Sequence, residues 1–161
     1  MRKLTTMMFV FLLGVCLATS VFGESATKEE CEAKVKEAVQ MFSDQGADAA
    51  IDEVNKTDGK FVWKDSYVFV LDLEGNYLAN GTNPKVVGTN ILNWKDTNGK
   101  LVTQALIDVA KTKGEGWLDY MYPKPSEIKK PIEERIPSKK MSYVMRVPGK
   151  DILVGAGIYE Q

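Results

Sequence analysis

The sequence predicts an α+β domain: an antiparallel sheet with helices on its faces. Three observations carry that reading. An apolar pattern at helical period opens the chain, over residues 28–54. A continuous apolar run, Val68-Phe69-Val70-Leu71, then reads as a strand covered on both faces, because a half-wet strand would alternate. Three later runs of strand length, at 116–122, 140–147 and 152–159, surround one further helical pattern at 101–113.

The first 23 residues read as a secretory signal peptide and lie outside the fold. Arg2 and Lys3 supply the positive start, residues 7–18 the apolar core, and Val21 and Gly23 the small residues before a cleavage site. Cleavage after Gly23 leaves 138 residues, one domain's worth, in a periplasmic or secreted protein. Two alternatives stand beside it: an uncleaved anchor at 4–22, weakened by Thr5, Thr6, Thr19 and Ser20, and lipidation at Cys16. After cleavage no membrane span remains.

Within residues 24–161, Thr27 with Glu30 has the spacing of a capping box. Cys31, Val35, Ala38 and Phe42 recur on one helical face, and Gly46 interrupts before Ala47, Ala50, Ile51 and Val54 resume it. This is one long helix, or two with a break near 43–46, ended by Asp58-Gly59. The strand at 68–71 turns at Glu74-Gly75-Asn76, where Gly75 tolerates positive φ, and returns through Tyr77. Residues 81–100 are rich in Asn, Asp and Thr around Pro84, Gly88 and Gly99. A long irregular stretch of this kind is usually functional or disordered, and Ile91, Leu92 and Trp94 argue for order.

The helix at 101–113 repeats Leu101, Ala105, Leu106 and Val109, and Gly114 stops it. It is the second wall of the sheet. The strand at 116–122 places Leu118, Tyr120 and Tyr122 on one face and Trp117, Asp119 and Met121 on the other. Four prolines mark 123–137 as a loop. The strands at 140–147 and 152–159 close the domain across Pro148-Gly149.

Composition excludes several functions. Without Arg2 and Lys3, 19 basic residues face 22 acidic ones, a net charge of −3. Such a domain has no electrostatic reason to bind nucleic acid. There is no histidine, which removes the commonest general base and metal ligand along with every Ser-His-Asp or Cys-His arrangement. Only Cys31 survives cleavage, so no intrachain disulfide forms; its place on the apolar helix face predicts burial, with an intermolecular bridge as the alternative. Neither a metal site nor a cofactor is expected, and the protein does not read as an enzyme.

Four segments carry a family resemblance: 67–80, 83–90, 114–120, and Val147-Pro148-Gly149 closing on Gly155-Ala156-Gly157-Ile158-Tyr159. In that order and spacing they resemble a single Cache domain of the second type, an extracytoplasmic sensor module, over residues 56–161. The resemblance implies a PAS-like fold. Its curved antiparallel sheet has five to six strands, a long N-terminal helix lies behind it, and a loop-helix excursion covers a small-molecule pocket in front. It also implies a short carboxylate or an amino acid as ligand, and a membrane-bound kinase or chemoreceptor as candidate partner. Chemotaxis and signal transduction are the processes such modules serve. The alternative is a structural or interaction subunit using the same fold with a filled pocket.

A pocket of this kind needs an apolar lining and a few convergent polar groups. Tyr67, Trp94, Trp117, Tyr120, Tyr122 and Tyr143 are the candidate rings. A Lys-x-x-Tyr segment begins a pocket strand in many single Cache domains, so the resemblance implies Lys140 as the charge facing a ligand carboxylate. Arg146 is its competitor, since a guanidinium binds carboxylate in two-pronged fashion. Strand parity sets Lys140 and Tyr143 on opposite faces unless a bulge intervenes. Two departures from the family count. Many relatives carry His-Pro where this chain has Asn80-Gly81, leaving Asn80 as a neutral substitute, and the loop at 123–137 is longer than expected. For a ligand of four to six heavy atoms the ceiling on binding is about 6–9 kcal/mol, which is roughly tens of micromolar to sub-micromolar.

Overall fold

The computed structural model describes residues 24–160. The signal peptide, the anchor alternative and Cys16 lie outside the described residues.

Two helices open the fold. Helix α1 spans Lys28–Asp44 and α2 spans Ala47–Val54. The Thr27 hydroxyl accepts from the Glu30 amide while the Glu30 carboxylate accepts from the Thr27 amide, the expected capping box. The chain breaks at Gly46, whose φ of 89° ends α1 and redirects α2. Of the two arrangements open to the sequence, the pair of helices is the one formed.

Among the described residues the sheet has six strands: β1 (Val62–Trp63), β2 (Ser66–Asp72), β3 (Tyr77–Asn80), β4 (Glu115–Pro123), β5 (Pro137–Arg146) and β6 (Ile152–Tyr159). All pairings are antiparallel. The order is β1-β2-β6-β5-β4, and β3 takes the rest of the β2 edge beyond β1. Gly75 turns the β2–β3 hairpin with φ 89°. The register shifts between Val70 and Leu71, where Leu78 is the extra residue and puts a bulge in β3.

Both faces of the sheet are covered, which is why β2 is apolar throughout. Behind it, α1 and α2 bury Cys31, Val35, Ala38, Phe42 and Val54 against Val68, Val70, Val154 and Ala156. In front, α3 (Val102–Thr112) packs on Phe69, Leu71, Val144 and Leu153. The buried stripe of α3 is Val102, Leu106, Ile107 and Ala110, one position round from the predicted Leu101, Ala105 and Val109, which stay half-buried. The reason is the helix entry: the stretch before it is tied to β4, because the Asp96 carboxylate accepts from the amides of Asn98, Lys100 and Met121. Cys31 is fully buried, and burial pushes its thiol up to about 11, which removes the intermolecular bridge from consideration.

The connection at 123–137 is shorter than predicted. Strand β4 runs to Pro123 and β5 already starts at Pro137, with those two residues paired. Between them lie a short helix, α4 (Pro125–Ile128), and a 3-10 turn at Ile132–Glu134. None of the described helices is long and apolar enough to cross a membrane.

Candidate ligand-binding site

The front of the sheet and the cover formed by 81–100 and α3 do not close completely. They enclose a cavity of about 150 Å³. Its floor is Tyr67, Phe69 and Leu71 of β2; its walls are Tyr77 of β3, Tyr120 and Tyr122 of β4, and Lys140 of β5. Thr89, Ile91 and Trp94 of the irregular stretch, with Val102, Thr103 and Leu106 of α3, form the cover. The stretch is held down by backbone pairing, for the Tyr77 amide donates to the Thr89 carbonyl and the Ile91 amide to the Gly75 carbonyl. The front face is therefore hollow, unlike the filled alternative.

Lys140 is the centre of the site. Only 1% of it is exposed, and its Nζ lies 4.5 Å from the Tyr67 ring centre, 5.0 Å from Tyr159 and 5.1 Å from Tyr122. It donates a hydrogen bond to the Tyr67 hydroxyl at 3.3 Å. Among the described residues no carboxylate pairs with it. Burial without a counter-ion pulls the amine down from 10.5 to about 7. Ring faces recover part of the lost hydration through their quadrupoles, but only part. Two glycines of β6 let these groups lie flat on the sheet. A Cβ at Gly155 would meet the Phe69 ring, and one at Gly157 would meet Lys140 Cε at 2.9 Å and Ser142 Oγ at 2.5 Å.

The phenols act as neutral donors. Burial pushes Tyr67, Tyr77, Tyr120, Tyr122 and Tyr159 above their ordinary values. The Tyr122 hydroxyl contacts those of Tyr77 and Tyr67, and Tyr159 contacts Tyr67. Tyr120 and Ser142 share a hydrogen bond of 2.9 Å. Trp94 meets Tyr122 edge to face at 5.5 Å. Among the described residues no acidic side chain lines the cavity.

Of the nine residues singled out in the sequence, the structure brings Tyr67, Trp94, Tyr120, Tyr122 and Lys140 to this cavity. Asn80 stands beside it: its side chain faces the Tyr77 hydroxyl, while its Oδ1 accepts from the amides of Thr82 and Asn83. Its main work is to shape the turn after β3. The other three are elsewhere. Trp117 and Tyr143 are paired across β4 and β5 on the rear face, where Trp117 donates to Glu32 and Tyr143 to Glu115. Strand alternation puts them there, since Tyr120 and Lys140 face forward. Arg146, at the far end of β5, binds Asp151 and the Lys150 carbonyl. Tyr77 and Thr103 also line the cavity and were not among the candidates named from the sequence. The bulge on β2–β3 brings Tyr77 and Asn80 to the same face although they lie three apart, and the rotated stripe of α3 turns Thr103 inward. Neither effect has a signature in the sequence.

Among the described residues no group of three His, Cys, Asp or Glu side chains could hold a metal ion.

The sequence model of the family described as Single Cache domain 2 matches residues 20–161. Solved structures agree. The chain is similar to the periplasmic sensor domain of a chemotaxis protein, with 25% identity, TM-score 0.63, and coverage of 83% of this chain and 90% of that one. It is similar to a methyl-accepting chemotaxis protein from Vibrio parahaemolyticus, with 25% identity, TM-score 0.64, and coverage of 82% and 87%. A third structure, of a Cache chemosensory domain solved for carboxylic acid recognition, shares the fold at 24% identity and TM-score 0.62, covering 81% of this chain and 86% of that one.

Proposed function

The chain belongs to the Single Cache domain 2 family of extracytoplasmic sensor modules, and on that premise we propose that its front cavity binds a short monocarboxylate through Lys140. The domain is a periplasmic, non-catalytic small-molecule sensor of the chemotaxis type. The finer reading rests on one observation: a fully buried lysine that faces a cavity and has no carboxylate partner among the described residues. An isolated buried charge is costly, and an anionic ligand removes that cost by pairing with it. The carboxylic-acid recognition recorded for the structural relative points the same way.

Size and lining narrow the class. A space of about 150 Å³ is of the size that holds benzene, which suits a ligand of about six heavy atoms. Phe69, Leu71, Ile91 and Leu106 suit a short carbon skeleton. An amino acid fits less well, because its ammonium finds no acidic side chain among the described lining residues. A membrane-bound kinase or chemoreceptor is the partner through which such a module signals.

Calorimetry on the purified protein with acetate, propionate, pyruvate, lactate, alanine and succinate tests this. The expected result is a dissociation constant of roughly micromolar order for at least one monocarboxylate, lost in Lys140→Met, with alanine and succinate silent. Binding that survives Lys140→Met, or a wild-type protein silent to every monocarboxylate, defeats the proposal.

A further inference from the structure

The first turn of α3 reaches the cavity with a polar group that has no hydrogen-bond partner among the described residues. Thr103 is 1% exposed and lines the cavity, and its Oγ1 makes no hydrogen bond among the described residues. A buried hydroxyl without a partner is uncommon, because each such group forfeits its hydration. Threonine has an apolar isostere, valine, that would fill the same space without that loss. The hydroxyl also sits where the backbone favours an anion. Helix α3 has 11 residues and no side-chain cap, and the first amide of its regular ladder belongs to Ala105, which donates to the Leu101 carbonyl. Thr103 lies ahead of that point, in the turn where helix amides are left over and the dipole is positive.

We propose that Thr103, with the N-terminal turn of α3, is a ligand contact that receives an oxygen of the bound carboxylate and so sets specificity from the side opposite the sheet. This rests on the reading of Lys140 as the cationic contact. Together they supply two donors from different elements: an amine from β5 and a hydroxyl with helix amides from α3. Such a pair fixes the orientation of a small anion, which one cation cannot do. Because α3 is part of the cover and β5 part of the wall, a ligand held by both also ties the cover to the sheet.

The test is calorimetry on purified wild type, Thr103→Val and Thr103→Ser, with acetate and pyruvate as probes. Thr103→Val should weaken binding about tenfold, the worth of one hydrogen bond to a charged acceptor, and Thr103→Ser should restore it. The unliganded valine variant should melt at the wild-type temperature or above, since it loses an unsatisfied hydroxyl. Equal weakening for both probes assigns the contact to the carboxylate itself; weakening for pyruvate alone assigns it to the 2-oxo oxygen. The first outcome supports the proposal and the second overturns it. Wild-type affinity in Thr103→Val overturns it and leaves the Lys140 reading intact, whereas loss of all carboxylate binding in wild type removes both. Should Thr103→Val not fold, Thr103→Ala carries the same expectation without added bulk.

Discussion

Replacing Lys140 by methionine should make the unliganded protein more stable and erase a pH dependence. The amine sits at about 7 in the fold against 10.5 when exposed. Below about pH 7 both folded and unfolded chains carry the proton, and the fold bears the whole cost of a buried charge. Each unit of depression corresponds to about 1.4 kcal/mol, so the ceiling on that cost is roughly 5 kcal/mol. As pH rises through the interval between the two values, the unfolded chain still binds the proton and the fold does not, and stability climbs. The upper end of the usable window is set by Cys31, whose thiol moves from 9.0 to about 11 on burial. Above about pH 9 the unfolded chain releases that proton first and the fold loses ground. Between about pH 7 and 9 wild type should therefore gain about 2–3 kcal/mol, or roughly 10 °C in melting temperature for a domain of this size. Urea unfolding followed by tryptophan fluorescence at half-unit steps of pH measures it. Lys140→Met should be flat over that range and most strongly stabilised at its acid end. Parallel curves for the two proteins would refute the claim that this lysine is buried without a counter-ion.

The same group couples binding to protons. A carboxylate pairs with the charged amine, so above about pH 7 the ligand must draw a proton in with it. The dissociation constant should rise toward tenfold per pH unit above about pH 8, and calorimetry in buffers of different ionisation heat should report proton uptake. A constant affinity between about pH 7 and 9 would contradict it. Gly157→Ala should destabilise the fold by about 1–3 kcal/mol, because the new Cβ would lie 2.5 Å from the Met141 carbonyl oxygen, which cannot give way without breaking the β5–β6 pairing. Thermal melting checks it, and an unchanged melting temperature would mean the sheet yields there.

Much of the architecture could be read from local chemistry. Thr27 and Glu30 announce the start of α1, Gly46 its break and Gly75 the hairpin, because caps and positive-φ turns are decided within a few residues. Val68–Leu71 states by its unbroken apolarity that both faces of β2 are covered. Strand alternation likewise separates Tyr120 and Tyr122 from Trp117, and Lys140 from Tyr143. No bulge intervenes in the β4–β5 pairing, so Trp117 and Tyr143 stay on the rear face, and two faces of one sheet cannot line the same cavity.

The site was legible only in part. Lys140 reads as an ordinary edge lysine in composition, and a family likeness was needed to single it out. Its burial depends on three strands and on the glycines of β6, residues far apart in the chain. Arg146 is as good a cation on paper, yet Asp151 engages it at the strand's end. Residue types, turn positions and strand faces were thus determined by the sequence alone, because each depends on neighbours within a few residues. The rotation of α3 that turns Thr103 inward, the bulge that adds Tyr77, and the absence of an acid beside Lys140 among the described residues were decided by tertiary structure. They are properties of what long-range packing brings together and what it leaves apart.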